Sequence, residues 1–356
     1  MLFRRTAVAP CLGLVLLMVP ALAQAQYHLT NLVSNQVDSH APTIDPLLAN
    51  PWGLARSAGS PWWISDNDTG WSTLYNAAGT QEALKVVIPT AGNGPVEPTG
   101  LNGPGTPTGI VFNGSKTDFQ VSGVSSSFIF ATLDGTISAW PGLNKNLATL
   151  VADESASKAS YTGLAITSKT SGNFLYAADN TNNKIDMFDG NFNLVGSFGD
   201  PSIPSTFSVF GVQDINGLVY VTYAVPNVGA GGYVDLFKED GTFVKTLVSS
   251  AGALDAPWGL AVVPSAGWGS LSPGTLLVGN FGVSAGVSSI NAYDPMVGTW
   301  LGQLVDSAGS PLQIDGLWAL EFGVDTDAGE SSQQLYFTAG PAGQSHGLLG
   351  YFAVSP

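Results

Sequence analysis

The sequence is poor in charge, and poorest in bases, cysteine and histidine. Only 10% of its 356 residues are charged, against about 25% in an average soluble domain. Eleven Lys and Arg face 26 Asp and Glu, which gives a formal net charge of −15. So few bases exclude the cationic footprint that nucleic-acid binding requires, and the lack of charged heptads excludes a coiled coil. Disorder is excluded as well, because 44% of the chain is hydrophobic and disordered chains pair low hydrophobicity with high charge. There is one cysteine, Cys11, and there are three histidines, His28, His40 and His346. No His-Glu-x-x-His or phosphate-loop motif is present. What the chain has in excess is 44 glycines and 22 prolines, the composition of a turn-rich all-β protein.

Residues 1–25 have the layout of a secretory signal peptide. Arg4 and Arg5 precede the apolar run from Leu12 to Leu22, and Ala21-Leu22-Ala23 and Ala23-Gln24-Ala25 offer small-x-small cleavage sites. The run is shorter than the roughly 20 residues a membrane span needs. The expectation is an exported bacterial protein, periplasmic or extracellular, without membrane insertion after cleavage. Cleavage removes two bases and no acid, so the net charge moves from −15 to −17. It also removes Cys11, which excludes thiol catalysis. Residues 26–356 must then be held by a large apolar core.

A short phrase recurs along the chain: a residue, Gly, an aliphatic, then a small or apolar residue. It is read at Trp52-Gly53-Leu54-Ala55, Thr108-Gly109-Ile110-Val111, Thr162-Gly163-Leu164-Ala165, Phe210-Gly211-Val212-Gln213, Trp258-Gly259-Leu260-Ala261 and Asp315-Gly316-Leu317-Trp318. Its glycines are 56, 54, 48, 48 and 57 residues apart. A β-rich run follows each phrase, for example Phe174-Leu175-Tyr176-Ala177, then an alternating run such as Tyr233-Val234-Asp235-Leu236-Phe237. Asp-Gly turns and a fourth run such as Lys245-Thr246-Leu247-Val248 complete the unit. Four strands in about 50 residues predict a propeller blade. The sixth unit stops after three strands, and Leu29-Thr30-Asn31-Leu32-Val33 resembles the missing fourth. The predicted fold is all-β: one six-bladed β-propeller over 26–356, with four-stranded blades starting near 51, 107, 161, 209, 257 and 314. The N-terminal strand closes the last blade and so removes an exposed edge.

The phrase Thr162-Gly163-Leu164-Ala165, then Leu175-Tyr176-Ala177-Ala178-Asp179-Asn180, then Lys184-Ile185-Asp186-Met187-Phe188 resembles an NHL-type propeller repeat. The stretches Asn50–Ala55, Pro107–Asn113 and Phe128–Trp140 also resemble an uncharacterised family of secreted bacterial propeller proteins, and the likeness runs over about 27–352. The resemblance implies fold and export and brings no activity, because such propellers include binding scaffolds and metal-dependent hydrolases or lyases.

Propeller topology brings the residue starting each first strand and the residue ending each second strand to one mouth of the central channel. The first ring reads Trp52, Thr108, Thr162, Phe210, Trp258 and Asp315. The second reads Asp66, Leu133, Asp179, Tyr223, Asn280 and Ala339, with Asn67 and Asn180 just after. Asp66, Asp179, Asn280 and Asp315 offer the oxygens a calcium-type cation takes, and Trp52 and Trp258 offer stacking faces. Asp-Asn after a strand is also an ordinary turn device. The Gly- and Pro-rich connection from Thr90 to Pro107 lies over the same mouth, as do Asp38, His40 and Asp45.

Two functional readings follow. One is a monomeric scaffold binding a small ligand or a protein partner at the channel mouth, without nucleic acid. The other is a calcium-type metal-dependent hydrolase, lactonase- or lyase-like, with its site in the channel.

Overall fold

The computed structural model describes residues 26–92, 104–142, 146–167, 172–225, 231–250, 253–282, 288–325 and 330–355. The signal-like segment 1–25, and 93–103 of the connection over the mouth, lie outside the described residues.

Six antiparallel sheets each build outward from an innermost strand. These strands are Pro51–Ala55, Pro107–Phe112, Tyr161–Ile166, Ser208–Ile215, Pro257–Val262 and Leu317–Phe322. Each packs against the next, and the sixth returns to the first. The ring is therefore a closed six-bladed β-propeller. The last blade is completed by Tyr27–Ser34, which pairs antiparallel with Leu348–Val354 from Tyr27↔Val354 to Ser34↔Leu348. Thr43–Ile44 adds a short parallel strand outside it.

The core lies as wedges between the blades. Trp63, Phe128 and Trp140 fill one; Ile129, Leu164 and Phe188 fill another; Leu277, Leu317 and Phe337 fill a third. Burying each such side chain contributes about 1.5–3 kcal/mol. A chain with one cysteine is held together by this repetition.

The recurring glycine has a steric cause. A Cβ on Gly53 would overlap the Thr108 carbonyl oxygen of the next blade, and one on Gly259 the Trp318 carbonyl oxygen. At these positions the innermost strands approach too closely at the axis for a side chain. A β-bulge accompanies it in every blade. Pro51 pairs with Asp66 and Leu54 with Ile64, so three steps on the first strand match two on the second. The same mismatch recurs in the other five blades. Bulges re-aim side chains, and these turn the residue before the glycine toward the channel mouth.

Candidate functional site

The bulge register shows which residues form the first ring. Leu317 pairs with Ala339 as Pro257 pairs with Asn280, so the sixth ring residue is Trp318, and Ala319 stands where the other blades have glycine. The expectation of Asp315 is corrected. It lies before the strand, exposed, and its carboxylate accepts from Ala342 N at 2.7 Å. Gly316 has φ 68° and serves a turn. The second ring is corrected in blade two as well, since Thr132, not Leu133, pairs with Pro107.

Trp52, Trp258, Trp318, Phe210 and Phe281 form one aromatic cluster across the channel. Trp52 and Trp318 stack with centroids 3.7 Å apart. Trp258 meets both edge-on at 6.2 and 5.8 Å, and Phe281 lies 4.5 Å from Trp318. The Trp258 indole donates to Thr162 O at 2.9 Å, reaching from blade five to blade three. Above this floor is a cavity of about 240 Å³ lined by Trp52, Thr162, Asn180, Phe210, Phe281 and Trp318, with Ser160 and Gln344 as further polar walls. Among the described residues none of its lining is charged. Below the floor the channel continues as a second space of about 340 Å³, which Trp258 also borders.

Of the residues expected at the mouth, Trp52, Leu133, Thr162, Asn180 and Phe210 line the cavity and Trp258 underlies it; Leu133 does so as the residue after the strand-ending Thr132. Thr108 does not line it; its hydroxyl is buried and donates to Tyr161 O at 2.6 Å. Asn67 is buried and donates to Pro107 O at 3.1 Å, as Asn180 does to Val209 O at 2.7 Å. These amides tie the end of one blade's second strand to the start of the next blade.

The four expected cation ligands do not meet. Asp66 is fully buried, and its carboxylate accepts from Thr73 N at 3.1 Å and Thr73 Oγ1 at 2.8 Å. Burial pushes it well above the carboxylate range, against those hydrogen bonds. Asp179 accepts from Ser160 N at 3.1 Å and Asn182 Nδ2 at 2.7 Å. Asn280 donates to Ala253 O at 2.7 Å, and Asp315 is held as described. Tyr223 is buried in the blade-three to blade-four wedge. The physical reason is strand alternation: the residue ending each second strand faces the wedge, and the next one, such as Asn180 or Phe281, faces the mouth. Asp45 is also committed elsewhere, accepting from the Tyr75 hydroxyl at 2.7 Å, while Asp38 and His40 are exposed. Among the described residues no three His, Cys, Asp or Glu converge as a metal site.

Sequence reasoning missed Trp318 and Phe281. The available signal for Trp318 was Trp-x-Leu, shared by Trp52, Trp258 and Trp318; anchoring on glycine hid it, because blade six carries Ala319.

No protein-family model matches the chain. Over 349 residues it is 32% identical to uncharacterized protein R648 of Acanthamoeba polyphaga mimivirus, spanning 93% of this chain and 81% of that protein. It is 30% identical over 352 residues to uncharacterized protein L690 of the same virus, spanning 93% and 87%. Solved structures share the fold at low identity. A streptogramin B lyase matches with a TM-score of 0.54 at 13% identity, covering 93% of this chain and 98% of that one. The soluble aldose sugar dehydrogenase of Escherichia coli matches with 0.55 at 12%, covering 93% and 100%. The mimivirus relatives overturn the expectation of an exported bacterial protein, since they point to a viral origin. The chain belongs to the family of the mimivirus uncharacterized proteins R648 and L690.

Proposed function

We propose that this chain, built of NHL-like repeats, is a binding propeller that holds a small, neutral, ring-bearing molecule at the channel mouth. The observation that carries this reading is the uncharged cavity of about 240 Å³ walled by Trp52, Trp318, Phe210 and Phe281. Its size lies just below the roughly 300–1,000 Å³ of drug-sized sites, which suits a single sugar or aromatic ring. Aromatic faces add about 0.5–1.5 kcal/mol per ring pair beyond area burial. Among the described residues the lining offers neutral amides and hydroxyls for orientation and no acid, base or histidine for proton transfer. Binding therefore accounts for the residues present better than hydrolysis does.

The test is a tryptophan-fluorescence titration of the wild type, Phe210→Ala and Phe281→Ala with a panel of methyl glycosides and neutral aromatic amides. Both phenylalanines are half-buried, so their truncation spares the deep core. A saturable response, weakened at least tenfold by both variants, is expected. No saturable response to any probe, or one that both variants leave unchanged, refutes the reading.

A further inference from the structure

Blades three and four carry an acid at the same register of the third strand. Asp186 pairs with Ala177, and Asp235 with Val221. In blade three the acid is fully partnered. Lys184 Nζ lies 2.7 Å from Asp186 and 4.0 Å from Asp179, and the Tyr161 hydroxyl donates to Asp186 at 3.1 Å. In blade four the place of Lys184 is taken by Tyr233, and that of Asp179 by Tyr223. The positive charge is gone while the acid remains.

Asp235 is fully buried, and neither of its oxygens has a donor in hydrogen-bond geometry. The Tyr223 hydroxyl is likewise buried and unpartnered. Tyr223, Thr246 and a second acid, Asp200, are its polar neighbours. Asp200 comes from the connection between Leu194–Phe198 and Ser208–Ile215, where its oxygens accept from Ser202 N at 2.7 Å and Ser202 Oγ at 2.8 Å. Two carboxylates, one buried and one half-buried, thus meet where the neighbouring blade holds an ammonium. Unpaired buried charge costs several kcal/mol per ion (about that order). Burial, with the charge of Asp200 adding to it against weaker opposing contacts, pushes Asp235 up to about 7; the site is short of positive charge.

We propose that Asp235 and Asp200 bind a divalent, oxygen-seeking cation of the calcium class between blades three and four. Two carboxylates balance a double charge, and the Thr246 and Tyr223 hydroxyls are neutral oxygen donors. Calcium takes about 6–8 oxygens, so water and loop carbonyls complete the shell. The cation does in blade four what the Lys184 ammonium does in blade three. It ties the connection carrying Asp200 to the third strand of blade four. This site is separate from the cavity at the channel mouth and stands independently of the proposed function.

The test uses the whole chain stripped with EDTA. Calcium is added in thermal melts, and terbium is added as a luminescent substitute sensitised by Tyr223. The wild type is expected to show a saturable rise in Tm of several degrees and saturable terbium emission reversed by calcium. Asp235→Asn weakens both affinities at least tenfold. Tyr233→Lys, which installs the blade-three arrangement, removes the calcium response while melting in EDTA near the calcium-loaded wild type. If the wild type ignores calcium, or responds no differently from both variants, the acids share a proton instead and the cation site is refuted.

Discussion

Replacing Gly211 by alanine tests whether close approach of the innermost strands sets the repeat. A Cβ there would lie 2.5 Å from Trp258 O, 2.9 Å from Thr222 Oγ1 and 3.2 Å from Trp258 C. The nearest atom is backbone of the next blade, so relief requires moving the strand that carries Trp258. Overpacking of this kind costs about 1–3 kcal/mol. The stiffer unfolded chain returns about 0.4–1 kcal/mol. The expected net loss is about 1 kcal/mol in urea unfolding followed by near-ultraviolet circular dichroism. Gly163→Ala is the control, because its Cβ would meet Val212 N at 3.2 Å and Gly211 Cα at 3.3 Å, a contact a small shift relieves. It should stay within about 0.5 kcal/mol of the wild type. Equal stabilities for the two variants would refute the steric account.

Two further predictions follow from the contacts between blades. Burial, only partly offset by Arg56, holds the half-buried Glu321 carboxyl up at about 8 against an ordinary 4.5. The folded state keeps this proton after the unfolded state has lost it, so stability falls as pH rises from 4.5 to 8 and levels off above. Glu321→Gln should therefore match the wild type near pH 4 and exceed it by about 1–2 kcal/mol at pH 9, allowing for solvent screening; a constant difference across pH would refute the assignment. Asn67→Ala strips the Pro107 carbonyl of a buried donor and should cost about 1–2 kcal/mol in thermal unfolding, with no loss refuting the role of these amides as ties between blades.

The architecture was legible because a propeller repeats its physics. Axial crowding favours a glycine on the innermost strand in five of the six blades, and a missing fourth strand in the last unit pointed to Leu29–Val33 as its closure. The site was less legible for two reasons of register. Blade six accommodates Ala319 where the others have glycine, so aligning on Gly316 placed Asp315 where Trp318 stands. The end of each second strand alternates faces, so the expected cation set took Asp179 and Asn280, which face the wedges, while their neighbours Asn180 and Phe281 face the mouth; of these two only Asn180 was among the expected residues. The bulge that sets this register is a pairing between two strands and leaves no mark in either one alone. The partnerless Asp235 was hidden for a similar reason, because Asp200 reaches it from the connection between two blades.

The central claim is that the aromatic floor of the channel mouth receives a small neutral ring. The most direct measurement is an amide and indole ¹H–¹⁵N correlation spectrum, with the cross-peaks of the nine tryptophans assigned by single substitutions, recorded with and without the methyl glycosides and aromatic amides. The account predicts saturable shifts concentrated on the indoles of Trp52, Trp258 and Trp318, with Trp62 and Trp268 in the blade wedges unmoved. Shifts spread over the wedge tryptophans, or none at all, would contradict it.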